Sequence, residues 1–440
     1  MPSNDPPRRS ALPARLVDAH TICAGCALAL LICLPSHASD GAAPPGATVE
    51  SLLVLARDRH PELRAMQFEA DAAAQRVGPA GALPDPMFQT ELRDVTNEMT
   101  GGSLNLLPAR VGSTRYQLRQ TFPSWGRREA RRDAAQAGAD EAALRVRSTW
   151  NDVAMRIKTA HARWQQVHGT LAQTRALLAL ANRLESVAQA RYSSGQAAQQ
   201  DVIRAQVERT AIATEIALLE AEAGATRARI NGLVARPADA PLAEPTAASS
   251  LPVLASIDAA ALRQRVLERS PQLAADVARV RAAERGKDAV WANRYPEFTV
   301  GIAPVQTRKR VSEWELMFEI NIPLQQDSRR ADEREALAMV SAAQARREAN
   351  ANELLAQLGE LLAGLEAARQ VESLTRTSLL PQSELSLQAA LAGYENGKVD
   401  FATVLEAQGQ VRKAQLNLIR THADARTRLA EIERLLGEDL

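Results

Sequence analysis

Between Trp314 and Ile322 the chain alternates with a period of two. Trp314, Leu316, Phe318, Ile320 and Ile322 share one face, and Glu313, Glu315, Glu319 and Asn321 share the other. Aromatic and β-branched residues in that rhythm predict a β-strand with one apolar and one polar side. Thr114, Tyr116, Leu118, Gln120 and Phe122 repeat the rhythm opposite Arg115, Gln117 and Arg119, and shorter runs start at Phe88 and Phe298. Four strands are expected, at about 85–95, 112–122, 296–306 and 312–324. Elsewhere the period changes to that of helices. Arg127 to Tyr192 contains no proline, which predicts one helix of about 65 residues, roughly 100 Å long at 1.5 Å per residue. Its counterpart, Arg329 to Tyr394, is interrupted once, at Pro381. A return helix of about 40 residues follows each. In the last one Val404, Gln408, Val411, Gln415, Leu418, His422, Ala425, Leu429, Ile432 and Leu436 form a stripe in steps of four and three. The polar members of that stripe predict a helix packed on two sides and wet on a third.

These elements occur twice. Tyr192-Ser193-Ser194-Gly195 with Ala205-Gln206 is matched by Tyr394-Glu395-Asn396-Gly397 with Ala407-Gln408, at an offset of 202 positions. Upstream, His60-Pro61 and Leu63 answer to Ser270-Pro271 and Leu273, at an offset of 210. A duplication of this length sets the architecture before any single residue is considered. The first repeat is placed at 39–235, with its helical hairpin at about 127–235. The second is placed at 257–440, with its hairpin at about 329–437. The Pro-, Ala- and Ser-rich stretch 236–256 reads as a linker.

Composition narrows the picture. Only 3% of residues are aromatic, which suits long packed helices better than a thick globular core. Nine of the fifteen aromatics fall within 85–125 and 291–324, the strand regions. A net charge of +1 over 440 residues gives no argument for nucleic acid as a partner. The three cysteines, Cys23, Cys26 and Cys33, all precede residue 34, so the rest of the chain can carry neither a disulfide nor a thiolate zinc site. They sit in an expected export leader, residues 1–38. Arg8, Arg9 and Arg15 are its basic region, Ile22 to Leu34 its apolar run, and Ser36-His37-Ala38 its cleavage site. Ala24-Gly25-Cys26 departs from a lipoprotein box, because Cys23 holds the usual leucine position and the apolar run comes mostly afterwards.

Alternating strands of about ten residues, with aromatics near their ends, fit a transmembrane barrel. A soluble sheet with one wet face fits the same alternation. Four strands cannot close a barrel, and a bilayer tolerates no open edge. On the membrane reading several copies must share one barrel, and three copies supply twelve strands.

The paired Tyr-x-x-Gly turns and their downstream Ala-Gln stand in this order with the twin His60-Pro61-Glu62-Leu63 and Ser270-Pro271-Gln272-Leu273 blocks. Phe122-Pro123-Ser124-Trp125-Gly126-Arg127-Arg128 and Ile322-Pro323-Leu324 mark the passage from strand to helix. Together they resemble the TolC-type outer-membrane efflux protein family over essentially the whole mature chain. Gly81-Ala82-Leu83-Pro84-Asp85-Pro86-Met87 is further similar to the subgroup serving heavy-metal resistance-nodulation-division (RND) exporters, CzcC- and CusC-like. The resemblance implies a mainly α-helical protein with transmembrane β-strands: a homotrimer with a periplasmic helical barrel and a shared twelve-stranded barrel in outer-membrane lipid. It implies a passive exit duct for a substrate class that is here heavy-metal cations. An inner-membrane RND-type pump would drive export through a periplasmic adaptor protein. Export of drugs and organic compounds, or type I secretion, would use the same fold.

The resemblance also assigns candidate sites. Tyr192, Ser193, Ser194 and Gly195, with Tyr394, Glu395, Asn396 and Gly397, would form the hairpin tips that touch the adaptor. As plain turns they need only the two glycines. Asp201, Thr403 and Glu406 occupy the positions that line the family's periplasmic constriction, though a threonine replaces the family's acid at 403. An acid near a helix start is also favoured by the helix dipole alone. Glu313, Glu315 and Glu319 would face the barrel lumen, which is polar in any such barrel. No metal site is expected. His161 and His168 lie seven apart on one helix, His60 and His422 stand alone, and the methionines are scattered.

No cofactor or catalytic role is expected. Gly393-x-x-x-Gly397-Lys398-Val399 is one residue short of a phosphate loop and lacks its hydroxyl residue. The rival class, a non-membrane structural coiled-coil protein, would lack the barrel and the detergent dependence that goes with it.

Overall fold

The computed structural model describes residues 44–97, 103–108, 110–246 and 258–440. The expected leader with its three cysteines and residues 247–256 of the expected linker lie outside them. In chain order the elements are helices α1 (Val49–Arg59) and α2 (Pro61–Ala80), strands β1 (Met87–Arg93) and β2 (Ser113–Phe122), and helices α3 (Arg127–Ser193) and α4 (Gln199–Leu233). The second half repeats them as α5 (Ala259–Arg269), α6 (Pro271–Trp291), β3 (Glu297–Thr307), β4 (Arg310–Asn321), α7 (Gln326–Leu374), α8 (Leu380–Glu395) and α9 (Phe401–Leu436).

The duplication is visible in local chemistry. Pro61 and Pro271 each open a helix, where the absent N–H would be unbonded anyway. The residue before each, His60 or Ser270, is held extended, with ψ of 120° and 122°. Pro381 is handled differently. It would clash with the carbonyl four residues before it, and the helix widens to a π turn over Thr375–Leu379 just ahead of α8. Ser383 donates to the Leu379 carbonyl at 2.7 Å beyond the break.

The core repeats as well. Leu52, Ala56, Ile230 and Val234 in one cluster correspond to Leu262, Val266, Ile432 and Leu436 in another. The halves share that core, because α6 packs on both α3 and α7. Asp276 of α6 accepts from Asn350 of α7 at 2.8 Å, and Arg279 of α6 reaches Glu141 of α3 at 3.1 Å. Helix α9 packs on α3, α7 and α8. Small residues Ala407, Ala414, Thr421 and Ala423 are buried beside the expected stripe, so two seams run along this helix. At one end of α3 lies the sheet, at the other the turn into α4. With 67 residues the helix separates them by roughly 100 Å.

The four strands form one antiparallel sheet in the order β1-β2-β3-β4. Its register aligns apolar residues in rows: Phe88, Leu118, Ile302 and Leu316 in one, Phe122, Phe298 and Ile320 in another. These side chains are exposed, Leu316 to 83% and Phe88 to 68%. The opposite face carries Gln89, Glu91, Arg115, Gln117, Arg119, Glu313, Glu315 and Glu319, as the pleat requires. No described helix is long and apolar enough to cross a membrane.

Candidate functional site

Two places hold the expected site residues: the turns at one end of the molecule and the polar face of the sheet at the other.

Both turns close by the same hydrogen bonds. Gly195 donates to Tyr192 O at 3.0 Å and Gln196 to Arg191 O at 2.8 Å; Gly397 and Lys398 donate to Tyr394 O and Gly393 O at the same two distances. Gly195 and Gly397 have φ of +75° and +69°, the left-handed cap that disfavours any other residue. Ser193 and Ser194 donate to the carbonyls of Ala190 and Arg191, and Asn396 to that of Ala392.

The tyrosines differ. Tyr192 is 46% exposed, whereas Tyr394 is 3% exposed within a cluster of Leu184, Ala205, Ala390, Phe401, Val404 and Ala407. The Phe401 ring lies 5.4 Å from the Tyr394 ring. The Arg191 guanidinium sits 4.5 Å over the same ring and donates to the Tyr394 carbonyl. Burial, and then the nearby Asp201 carboxylate, raise the Tyr394 hydroxyl above its ordinary pKa. Tyr394 thus joins α3, through Arg191, to α9, through Phe401, and packs with Ala205 of α4, with the Asp201 carboxylate nearby. The sequence reading placed Asp201 here but missed Arg191 and Phe401. An arginine one residue before a tip tyrosine was the only signal.

Thr403 is drawn into a cap. Asp400 opens α9 by accepting from the Thr403 N–H at 3.0 Å and its hydroxyl at 2.5 Å. These bonds hold Asp400 below the usual carboxylate range. Glu406 and Glu395 are exposed on the same hairpin. Further along α9, Arg412 binds Glu215 of α4 at 2.7 Å.

On the sheet, the three expected glutamates are not equivalent. Glu315 is held by Arg115 Nε at 2.7 Å, and Arg115 Nη1 lies 3.7 Å from Glu91. Glu313 and Glu319 share that face, opposite Val305 and Thr299.

The histidines lie elsewhere. His161 is buried with Nε2 3.2 Å from the Gly46 carbonyl. His168 and His422 line one half-open cavity of about 520 Å³, and Glu372 holds His422 at 2.8 Å. Among the described residues no three or more His, Cys, Asp or Glu are grouped to hold a metal ion.

Comparison with known proteins follows this geometry closely. A family model described as "Outer membrane efflux protein" matches residues 52–234 and 262–438, the two repeats in turn. The cobalt-zinc-cadmium resistance protein CzcC of Cupriavidus metallidurans is 25% identical over 397 residues, covering 89% of this chain and 90% of that protein. Among solved structures, the outer membrane protein VceC of Vibrio cholerae superposes with a TM-score of 0.75 at 16% identity, over 89% of this chain and 96% of that one. CusC gives 0.76 at 16% identity, over 89% and 92%.

Proposed function

Because the chain belongs to the outer membrane efflux protein family, we propose that it is the exit duct of a tripartite exporter of divalent heavy-metal cations. The protein is an outer-membrane efflux channel that extends into the periplasm. Members of the family are trimeric channels that work with an adaptor and an RND pump. The observation that carries the duct reading is the sheet. Its apolar face is exposed, its other face is charged, and both β1 and β4 are free along one edge. Unpaired strand edges in hydrocarbon cost several kcal/mol per backbone group. Pairing β1 of one copy with β4 of the next removes them, and three copies give a twelve-stranded barrel.

The metal assignment rests on the 25% identical relative, whose name gives cobalt, zinc and cadmium. The test is deletion of the gene with its pump and adaptor expressed, followed by growth in graded cobalt, zinc and cadmium. Loss of tolerance that the intact gene restores supports the reading. Unchanged tolerance to all three ions removes it, and leaves organic export to be tested with drugs.

We further assign closure of the periplasmic end to the Arg191–Tyr394–Asp201 junction. The repeat offset supplies the support. The counterparts of Arg191 and Asp201 in the second half are Gly393 and Thr403. Tyr192, exposed in one copy, would meet that side of the next copy in a ring. At those two positions it would find neither a guanidinium nor a carboxylate, and the neighbouring Asp400 carboxylate is engaged in capping α9. Junctions within a copy are therefore latched, and junctions between copies are not. Glu406, exposed near the tip, adds negative charge at the constriction, where a threefold ring of carboxylates would attract cations.

A further inference from the structure

We infer that Arg115 sets the charge selectivity of the barrel lumen by neutralising Glu315 at 2.7 Å, while Glu91 is held chiefly by Arg93 at 3.2 Å, with Arg115 beyond it at 3.7 Å. The inference rests on the duct reading, in which the charged face of the sheet lines the lumen. Arg115 belongs to β2, Glu91 to β1 and Glu315 to β4, so its side chain must cross β3 to reach Glu315. It can do so because the side chains of β3 on this face are absent, short or buried. Gly301, Ala303 and Val305 are the inward residues there, and Ala303 and Val305 are buried. A Cβ at Gly301 would come within 3.2 Å of Gln117 Nε2 and 3.3 Å of both Arg119 Cβ and Met317 Cε. The arms of β2 and β4 thus meet over a floor of small residues. Gln117 donates to the Met317 sulfur at 3.0 Å in the same layer. Arg115, with its side chain 19% exposed, lies flat against the wall instead of projecting into the channel.

The charge balance gives this position its leverage. Glu297 is paired with Arg127 at 2.9 Å. Leaving that pair and residues 308–310 at the β3–β4 tip aside, the inward face of one copy holds Glu91, Glu313, Glu315 and Glu319 against Arg93, Arg115 and Arg119. The face is one charge negative, and loss of Arg115 makes it two. A wall carrying seven charges is therefore held close to neutral, and loss of a single arginine doubles its net negative charge; Arg115 is the one of the three placed against Glu315 on β4.

The test reads local potential and does not depend on the periplasmic end being open. Gln89 is exposed on the inward face of β1, opposite Gln117, and diagonal to Arg115 at about 7 Å. Gln89→Cys is introduced into the full chain in outer-membrane vesicles. Its rates with a cationic and an anionic membrane-impermeant methanethiosulfonate are compared with and without Arg115→Gln. The parent chain, whose three cysteines all lie in the expected leader, gives the background. A unit charge at that distance, screened by salt, should raise the cationic-to-anionic rate ratio about twofold at 0.15 M salt and about fivefold at 0.01 M. Arg115→Gln combined with Glu315→Gln should restore the starting ratio. Should Arg115→Gln fail to assemble, Glu315→Gln alone must lower the ratio. A ratio unmoved by these changes, or moved equally at both salts, overturns the role of Arg115. If Gln89→Cys reacts with neither reagent, the face is not a lumen and the duct reading falls with it.

Discussion

Replacing Arg191 with alanine should open the periplasmic end of the channel. The substitution removes a guanidinium placed 4.5 Å over the Tyr394 ring and its hydrogen bond to the Tyr394 carbonyl. A cation–π contact contributes about 0.5–2 kcal/mol, depending on desolvation. A hydrogen bond from a charged donor contributes about 1.5–3 kcal/mol. The two act through one side chain and do not simply add, so about 2–3 kcal/mol per copy is a reasonable loss. A loss of about 2 kcal/mol shifts a two-state balance by a factor of about 30. Three latches in one ring multiply the effect. The assay is single-channel conductance in a planar bilayer with purified, heat-modifiable trimer. The wild type should dwell in a low-conductance state, and Arg191→Ala should show long high-conductance dwells. Arg191→Lys keeps the charge but not the planar fork, and should fall between them. Tyr394→Phe, which removes only the hydroxyl beside Asp201, should give a smaller change in the same direction. If Arg191→Ala forms trimers with wild-type dwell times, the junction is packing and not a latch.

Three further outcomes follow from other parts of the molecule. Phe318→Arg puts a charge on the apolar face of β4, where a midplane arginine costs about 2–4 kcal/mol per copy; it should abolish the heat-modifiable trimer, while Glu319→Arg on the other face should leave it assembled. Burial lowers the pKa of His161, with a further lowering contribution from Arg426. Its neutral form therefore stabilises the fold above pH 6.5, and that stability declines as pH falls through the lower folded value. The unfolding midpoint should drop between pH 7 and pH 5, and His161→Gln should flatten the dependence. Glu433→Ala leaves the largely buried Lys158, 2.6 Å from the Glu433 carboxylate, with only Asp439 beside it; a destabilisation of about 1–3 kcal/mol is expected in denaturant titration.

Regular patterns were legible in the chain because they are repeated many times over. Period-two alternation at Trp314 to Ile322 and its weaker echoes identify a sheet with two unlike faces. Each misplaced residue would be contradicted by its neighbours. The 202-residue offset identifies two matching hairpins for the same reason. Single contacts between distant segments have no such redundancy. Tyr192 and Tyr394 are indistinguishable by motif, yet one is exposed and the other buried. The difference lies in which hairpin each one packs against, a property of helix packing and not of either turn. Glu315 reads from the sequence only as a lumen-facing acid; its partner sits two strands away, across a β3 floor of small residues that no local pattern reveals. Thr403 read as a departure from an acidic constriction. In the folded chain its hydroxyl and N–H bind Asp400, a helix cap that a Asp-x-x-Thr spacing does encode.

The most direct test of the whole account is the native mass of the protein extracted by detergent from isolated outer membranes. A passive duct built from four strands per copy must appear as three processed chains, resistant to dissociation until heated. A monomer released without detergent would contradict it, because the open edges of β1 and β4 and the exposed apolar face between them could not then lie in a bilayer.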